Sequence, residues 1–151
     1  FLYEAMECLG GNGYVEEGIL ARHYREAPVN AIWEGSGNVM CLDVLRALSR
    51  VADVALDVLR DLTMETQGLP GAPEAVAFIA KAFRRPDSER VARLTVEKLG
   101  LLAATAALQA VSPRHAELFS ATRLAGNQAS MYGAVDLESR DISDLLERAL
   151  P

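Results

Sequence analysis

The side chains whose types and spacing could do chemistry lie in residues 7–46, ECLGGNGYVEEGILARHYREAPVNAIWEGSGNVMCLDVLR, where two glycine clusters frame them. In the second cluster, Trp33-Glu34-Gly35-Ser36-Gly37-Asn38, a large aromatic and a carboxylate come directly before flexible residues that open a long helix. Free backbone N–H groups at a helix start bind phosphate or the polar edge of a heterocycle. A carboxylate beside a Trp in a dry pocket has its charged form disfavoured, which raises its pKa toward the range of a general base. The same carboxylate also suits the dipole of the helix that follows, so local sequence leaves both roles for Glu34 open. The first cluster, Gly10, Gly11 and Gly13, is not the dinucleotide fingerprint GxGxxG, because position 16 is Glu and no strand precedes it. It reads as a helix stop and turn.

Other polar candidates read as structural. His23 and His115 have no Ser, Cys or carboxylate partner at a recognisable spacing and are expected to be ordinary, partly buried residues. Cys41 sits between Met40 and Leu42, where a small apolar side chain is its expected role. Arg25 and Glu26 read as an ion pair beside a helix end. Arg46 has Asp43 three residues before it as a surface partner. About 12 Å of helix, at 1.5 Å per residue, separates Arg46 from a helix start at Asn38, so contact with Glu34 requires the Gly35 to Gly37 turn to fold back.

Helices must position these groups, since apolar residues recur at helical spacing nearly everywhere and no segment alternates long enough for a strand. The expected fold is an all-α, up-and-down helical bundle with additional C-terminal helices. Residues 1 to 9 read as the last turns of a helix stopped by Gly10 and Gly11, and residues 17 to 27 as a short helix closed by Pro28. Ser36 or Asn38 would cap a helix running to about Gln67, because Leu45, Leu48, Ala52, Ala55, Leu59 and Leu62 repeat at intervals of three or four. Gly68 to Pro73, with two prolines and two glycines among neighbouring positions, must be a loop and marks a boundary between 1–67 and 68–151. Helices follow at about 73–85, 87–111 with Asp87 as cap, 113–132 started by Ser112 and Pro113, and 139–150. The alanine-rich 87–111 helix, with Ala103, Ala104, Ala106, Ala107 and Ala110, is expected to be central to the second half and approachable on more than one side.

Composition bounds the function. Of the 151 residues 50% are hydrophobic and 24% charged, so the chain can bury a core, and a formal net charge of −6 argues against coating nucleic acid by charge alone. Two cysteines, Cys8 and Cys41, are too few for a disulfide scaffold and lack metal-type spacing, so no metal is expected and a reducing, cytoplasmic setting fits. The longest uncharged apolar stretch, Leu99 to Val111, falls short of the roughly 20 residues of a membrane span. No membrane partner is expected, and a start on Phe1 reads as a fragment.

GGNGY, then RE at Arg25 and Glu26, then AIWEGSGNV closely resemble the C-terminal signature of the flavin-dependent acyl-CoA dehydrogenases, GGxGY, RDA and IYEGT, in the same order and spacing. ECLGGNGY with REAP and WEGSGNVMCLDVLRAL resembles the AidB-type (adaptive-response) branch of that family. The resemblance covers about residues 1 to 50. Residues 70 to 151 resemble that branch's extra helical region in being helical and in position.

The resemblance implies that Glu34 is the catalytic base, which takes an α-proton from an acyl thioester while hydride leaves the β-carbon for FAD, with Arg46 near the active site. It implies that Glu7, Gly10, Gly11, Ser36 and Asn38 touch FAD, some of them on a neighbouring subunit, with Trp33 at the substrate or flavin edge in place of the usual Tyr. It further implies an acyl-CoA substrate and a homo-oligomer, dimer or tetramer, of a protein with an N-terminal helical domain and a middle β-domain. The 151-residue chain alone is then expected to be helical, colourless and inactive.

Two alternatives differ in class: a DNA-binding, alkylation-protecting protein with vestigial dehydrogenase activity, and a structural bundle for oligomerisation. Residues 1–67 hold five Arg against eleven Asp plus Glu, whereas residues 68–151 hold ten charges of each sign. The one basic cluster, Lys81, Arg84, Arg85, Arg90 and Arg93 around Asp87 and Glu89, has only Phe83 as a stacking partner, so DNA is not favoured.

Overall fold

The computed structural model describes residues 1–126 and 133–150, and among them every regular element is helical. The all-α bundle read from periodicity is the fold of the chain. α1 (Leu2–Cys8) ends where Gly10 turns to φ +55, as the glycine stop predicts, and Gly11 then opens the single turn α2 (Gly11–Tyr14). Gly13 is buried against α1, and a Cβ there would stand 2.2 Å from the Met6 carbonyl oxygen, so this close approach requires glycine. α3 (Ile19–Glu26) runs into a 3-10 turn, Ala27–Ala31, that contains Pro28. These three helices pack on one another.

The single helix expected from Ser36 to Gln67 is two helices, α4 (Gly37–Arg50) and α5 (Ala52–Glu65), broken at Val51 with φ −129 and ψ 51. Ser49 Oγ donates to the Arg46 carbonyl oxygen at 2.8 Å, a side-chain bond that competes with the helix ladder, and β-branched Val51 follows directly. The interval of four from Leu48 to Ala52 spans the break undisturbed, so the apolar pattern carries no trace of it. Ser36 precedes α4 without a side-chain cap bond.

The Gly68–Pro73 loop forms as expected, and Pro73 lies in the first turn of α6 (Ala72–Phe83). Asp87 does not cap a helix with its side chain. It pairs with Arg85 and Arg90 ahead of a 3-10 turn, Ser88–Val91, that leads into α7 (Ala92–Val111). Pro113 starts α8 (Pro113–Phe119), and the chain continues in a π turn, Ser120–Leu124. The rest of the helix expected to residue 132 lies partly outside the described residues. α9 (Ser139–Ala149) has no buried residue and is tied back by Arg114 to Asp141 and Asp144.

The core joins Leu59 of α5, Ala72, Ala75 and Ile79 of α6, Leu102 of α7 and Leu124 of the π turn. Elements on both sides of the 68–73 loop thus share one apolar cluster. α7 is central as expected, packing on α4, α5, α6 and α8. Thr95, Leu102, Thr105 and Ala106 point inward, and the Thr95 and Thr105 hydroxyls donate to the carbonyls of Val91 and Leu101 one turn back. Ala103, Ala107 and Ala110 are exposed instead of receiving neighbours on a second side. Counted as a helix, Ser88–Val111 has 24 residues and an apolar window of mean hydropathy 1.3, which is long and apolar enough to cross a membrane by length and composition. The uncharged stretch from Leu99 is shorter because Lys98 bounds it, whereas the helix runs through that charge.

Candidate functional site

The turn that carries Glu34 is built by local hydrogen bonds. After the 3-10 turn, the amides of Ile32 and Trp33 donate to the Val29 carbonyl and that of Gly35 to the Ile32 carbonyl. Gly35 has φ +117, and a Cβ there would meet Met40 Sδ at 2.9 Å, so both backbone and neighbour require a glycine after the carboxylate. The Met40 amide then donates to the Ser36 carbonyl at 3.0 Å and α4 begins. Its first N–H groups have no acceptor within the helix, as at any helix start.

Glu34 is exposed on this turn, and Trp33 beside it is 67% exposed. Among the described residues nothing builds the dry pocket expected around the pair: the turn stands there without a wall. Ser36 and Asn38 are exposed in the same stretch. Arg46 lies on α4 hydrogen-bonded to Asp43, the partner three residues back that spacing offers. Glu7, Gly10 and Gly11 stand exposed at the end of α1, and a Cβ on either glycine would meet nothing within 4 Å. The two glycine clusters therefore sit in different packing units, one among α1 to α3, the other at the head of α4, which packs on α5 and α7.

Arg25 does not pair with Glu26. Its guanidinium grips Glu16 nine residues back, with two bonds of 2.6 and 2.9 Å, and holds the Glu16 carboxyl below the usual carboxylate range. Glu26 instead faces His23 at 3.9 Å, and His23 is exposed, not partly buried. The Glu16–Arg25 pair rims an open cleft of about 520 Å³ lined also by Met6, Tyr14, Ala21 and Tyr24. His115 is partly buried as expected, but contrary to expectation it has a Ser partner, Ser112, whose Oγ lies 2.6 Å from its Nδ1. Among the described residues no group of three or more His, Cys, Asp or Glu is placed to hold a metal ion.

One residue at the site escaped sequence reasoning. Arg93, on the first turn of α7, reaches 55 residues back to donate to Asn38 Oδ1 at 3.1 Å. Nothing in the spacing of the motif signals it. The same contact dissolves part of the basic cluster, since Arg85 and Arg90 bond to Asp87 and Arg93 to Asn38, while Phe83 is partly buried against the core.

Residues 1–49 match the family model described as acyl-CoA dehydrogenase, C-terminal domain. Over nearly all its length the chain is similar to the Escherichia coli (strain K12) protein named "Putative acyl-CoA dehydrogenase AidB", at 42% identity over 151 residues, 99% of this chain and 27% of that protein. It is also 36% identical over 89 residues to acyl-CoA dehydrogenase family member 11 of Caenorhabditis elegans, across 54% of this chain and 14% of the relative. The bovine (Bos taurus) mitochondrial short-chain specific acyl-CoA dehydrogenase is 45% identical over 42 residues, 28% of this chain and 10% of that enzyme. The chain spans about a quarter of the length of AidB and less of the other two.

Proposed function

We infer that this chain is the C-terminal part of a flavin-dependent acyl-CoA dehydrogenase-like protein, in which Glu34 is the base that takes the α-proton of an acyl thioester. The observation that supports it is the presentation of Glu34: a carboxylate held out on a hydrogen-bonded, glycine-dependent turn inside the segment that matches the family. Removing a weakly acidic C–H proton needs a carboxylate within hydrogen-bond reach of that carbon and kept from water. The turn supplies the reach, and walls that exclude water would have to be added to the described residues.

The residues present fit part of an FAD site by their donor chemistry. Gly10 and Gly11 let another surface approach the backbone with nothing in the way, and Asn38 offers a side-chain amide beside the uncommitted N–H groups of the α4 start. Gly10, Gly11, Ser36 and Asn38 would hold the cofactor, with Trp33 against the thioester or flavin edge, whereas the Glu7 carboxylate, which offers acceptors and no donor, does not fit beside a pyrophosphate. Bound FAD supplies the acceptor for the hydride lost from the β-carbon. Arg46, committed to Asp43 here, would act only after exchanging that partner.

The exposed apolar side chains around the turn, Ile32, Trp33, Val39 and Met40, fit cover by the remaining domains or a second subunit of a homo-oligomer. In the intact protein Glu34→Gln keeps shape and hydrogen-bonding capacity and removes the base. Flavin binding survives, and acyl-CoA-dependent flavin bleaching falls on the order of 10²-fold or more, the scale of general-base loss. Bleaching at the unmodified rate would show that the base lies elsewhere.

A further inference from the structure

Arg93 lies outside residues 1–49, yet its guanidinium stands at the head of α4. Nη1 is 3.1 Å from Asn38 Oδ1, and a Cβ on the adjoining Gly37 would come within 3.3 Å of the same nitrogen. Glu89 and Glu97 lie four residues to either side of Arg93 in sequence, the usual offers to a helical arginine, but its Nη1 bonds to a neutral amide across 55 residues.

A guanidinium has donors and no acceptor, so the Asn38 atom facing it must be the carbonyl oxygen. That settles which way the amide is turned, a choice that is ordinarily ambiguous for asparagine. With Oδ1 committed, Nδ2 is left with two N–H donors directed away from Arg93. Both residues are exposed, so the bond contributes little to folding.

We propose that Arg93 is a positioning residue of the candidate site: by holding Asn38 Oδ1, it presents Asn38 Nδ2 as a hydrogen-bond donor to an acceptor atom of the bound flavin dinucleotide. The proposal rests on the reading of residues 33 to 38 as part of an FAD site. It gives the second half of the chain, which carries none of the motif, a part in cofactor binding. It also distinguishes two kinds of contribution: Asn38 touches the ligand, and Arg93 acts only through Asn38.

A double-mutant cycle on the intact protein tests this, with FAD titrated into apoprotein by flavin fluorescence and the apoprotein melting temperature as the control for folding. Asn38→Ala lowers FAD affinity about 10-fold, and Arg93→Met lowers it several-fold, each with the melting temperature within about 2 °C of the unmodified protein. Combined, the two changes cost no more than Asn38→Ala alone. Arg93→Lys, which keeps one donor but loses the planar fork, recovers part of the affinity. Losses that multiply in the double variant, or an Arg93→Met protein that binds FAD normally, overturn the proposal. An unmodified protein that takes up no FAD fails before any substitution, and the flavin reading then falls together with the role of Arg93.

Discussion

Residues 1–50 and residues 52–126 are built on opposite terms. The first stretch carries the whole family signature and buries only Gly13 and Ala21, whereas the second carries no motif and buries fifteen residues. The motif and the buried core thus lie in different lengths of one chain. Among the residues of the signature, Glu7, Trp33, Glu34, Ser36 and Asn38 are all exposed. The helices of the second stretch face inward and supply the stable body to which the head of α4 is fastened.

That contrast can be broken or sharpened by substitution. The largest effect is expected at Gly71, where φ is +74 and a Cβ would lie 2.4 Å from the Ala125 nitrogen. Gly71→Val adds about 1–3 kcal/mol of backbone strain and about 1–3 kcal/mol of overpacking, to be read from the denaturation midpoint of the chain. Next is Leu102→Ala at the fully buried centre of α7, with a loss of about 2–5 kcal/mol in the same measurement.

Trp33→Ala, the same kind of truncation on the other side of the contrast, should change the stability of this chain by no more than about 0.5 kcal/mol. A loss above 1 kcal/mol would mean that the motif segment is packed after all. The smallest effect concerns acid. Arg25 holds the Glu16 carboxyl below its ordinary range, so this pair contributes above the unfolded-state pKa and its contribution is lost as pH falls through the lower folded value. An NMR titration should find the Glu16 midpoint below that of an unpaired glutamate, and Arg25→Gln should return it upward.

Much of this was legible in the sequence, and what was not has identifiable causes. Helical periodicity gave the fold class, Gly10 and Pro28 gave helix ends, and the 68–73 loop announced itself by composition. Periodicity could not reveal the break at Val51, because the spacing of four between Leu48 and Ala52 is what an unbroken helix also shows. Nearest-neighbour reasoning paired Arg25 with Glu26, while the turn after α2 brings Glu16 round to it from nine residues away. Nothing in the motif signals that Glu34 and Trp33 are exposed, since a dry pocket depends on what covers them. Arg93 belongs to the same class of oversight: its partner is fixed by how α7 packs on α4, and no local pattern encodes a contact across 55 residues.

The clasp at the 70–71 turn has a further consequence for how the molecule opens. Ser120 Oγ donates to the Pro70 carbonyl at 2.7 Å, and Ala125 seats against Gly71, so the start of α6 and the π turn after α8 are held together by both a directed bond and a steric fit. Neither α1 to α3 nor α9 contributes to the core cluster. Local unfolding follows buried contact, so amide exchange should be slowest around residues 72–124 and fastest in the two ends, with the motif-bearing end among the first to exchange. A cofactor or neighbouring domain settling on that end would be felt there as protection gained, while the clasped centre exchanged at nearly its former rate. Binding at one end of the chain would therefore be recorded in its hydrogens before it was visible in its shape.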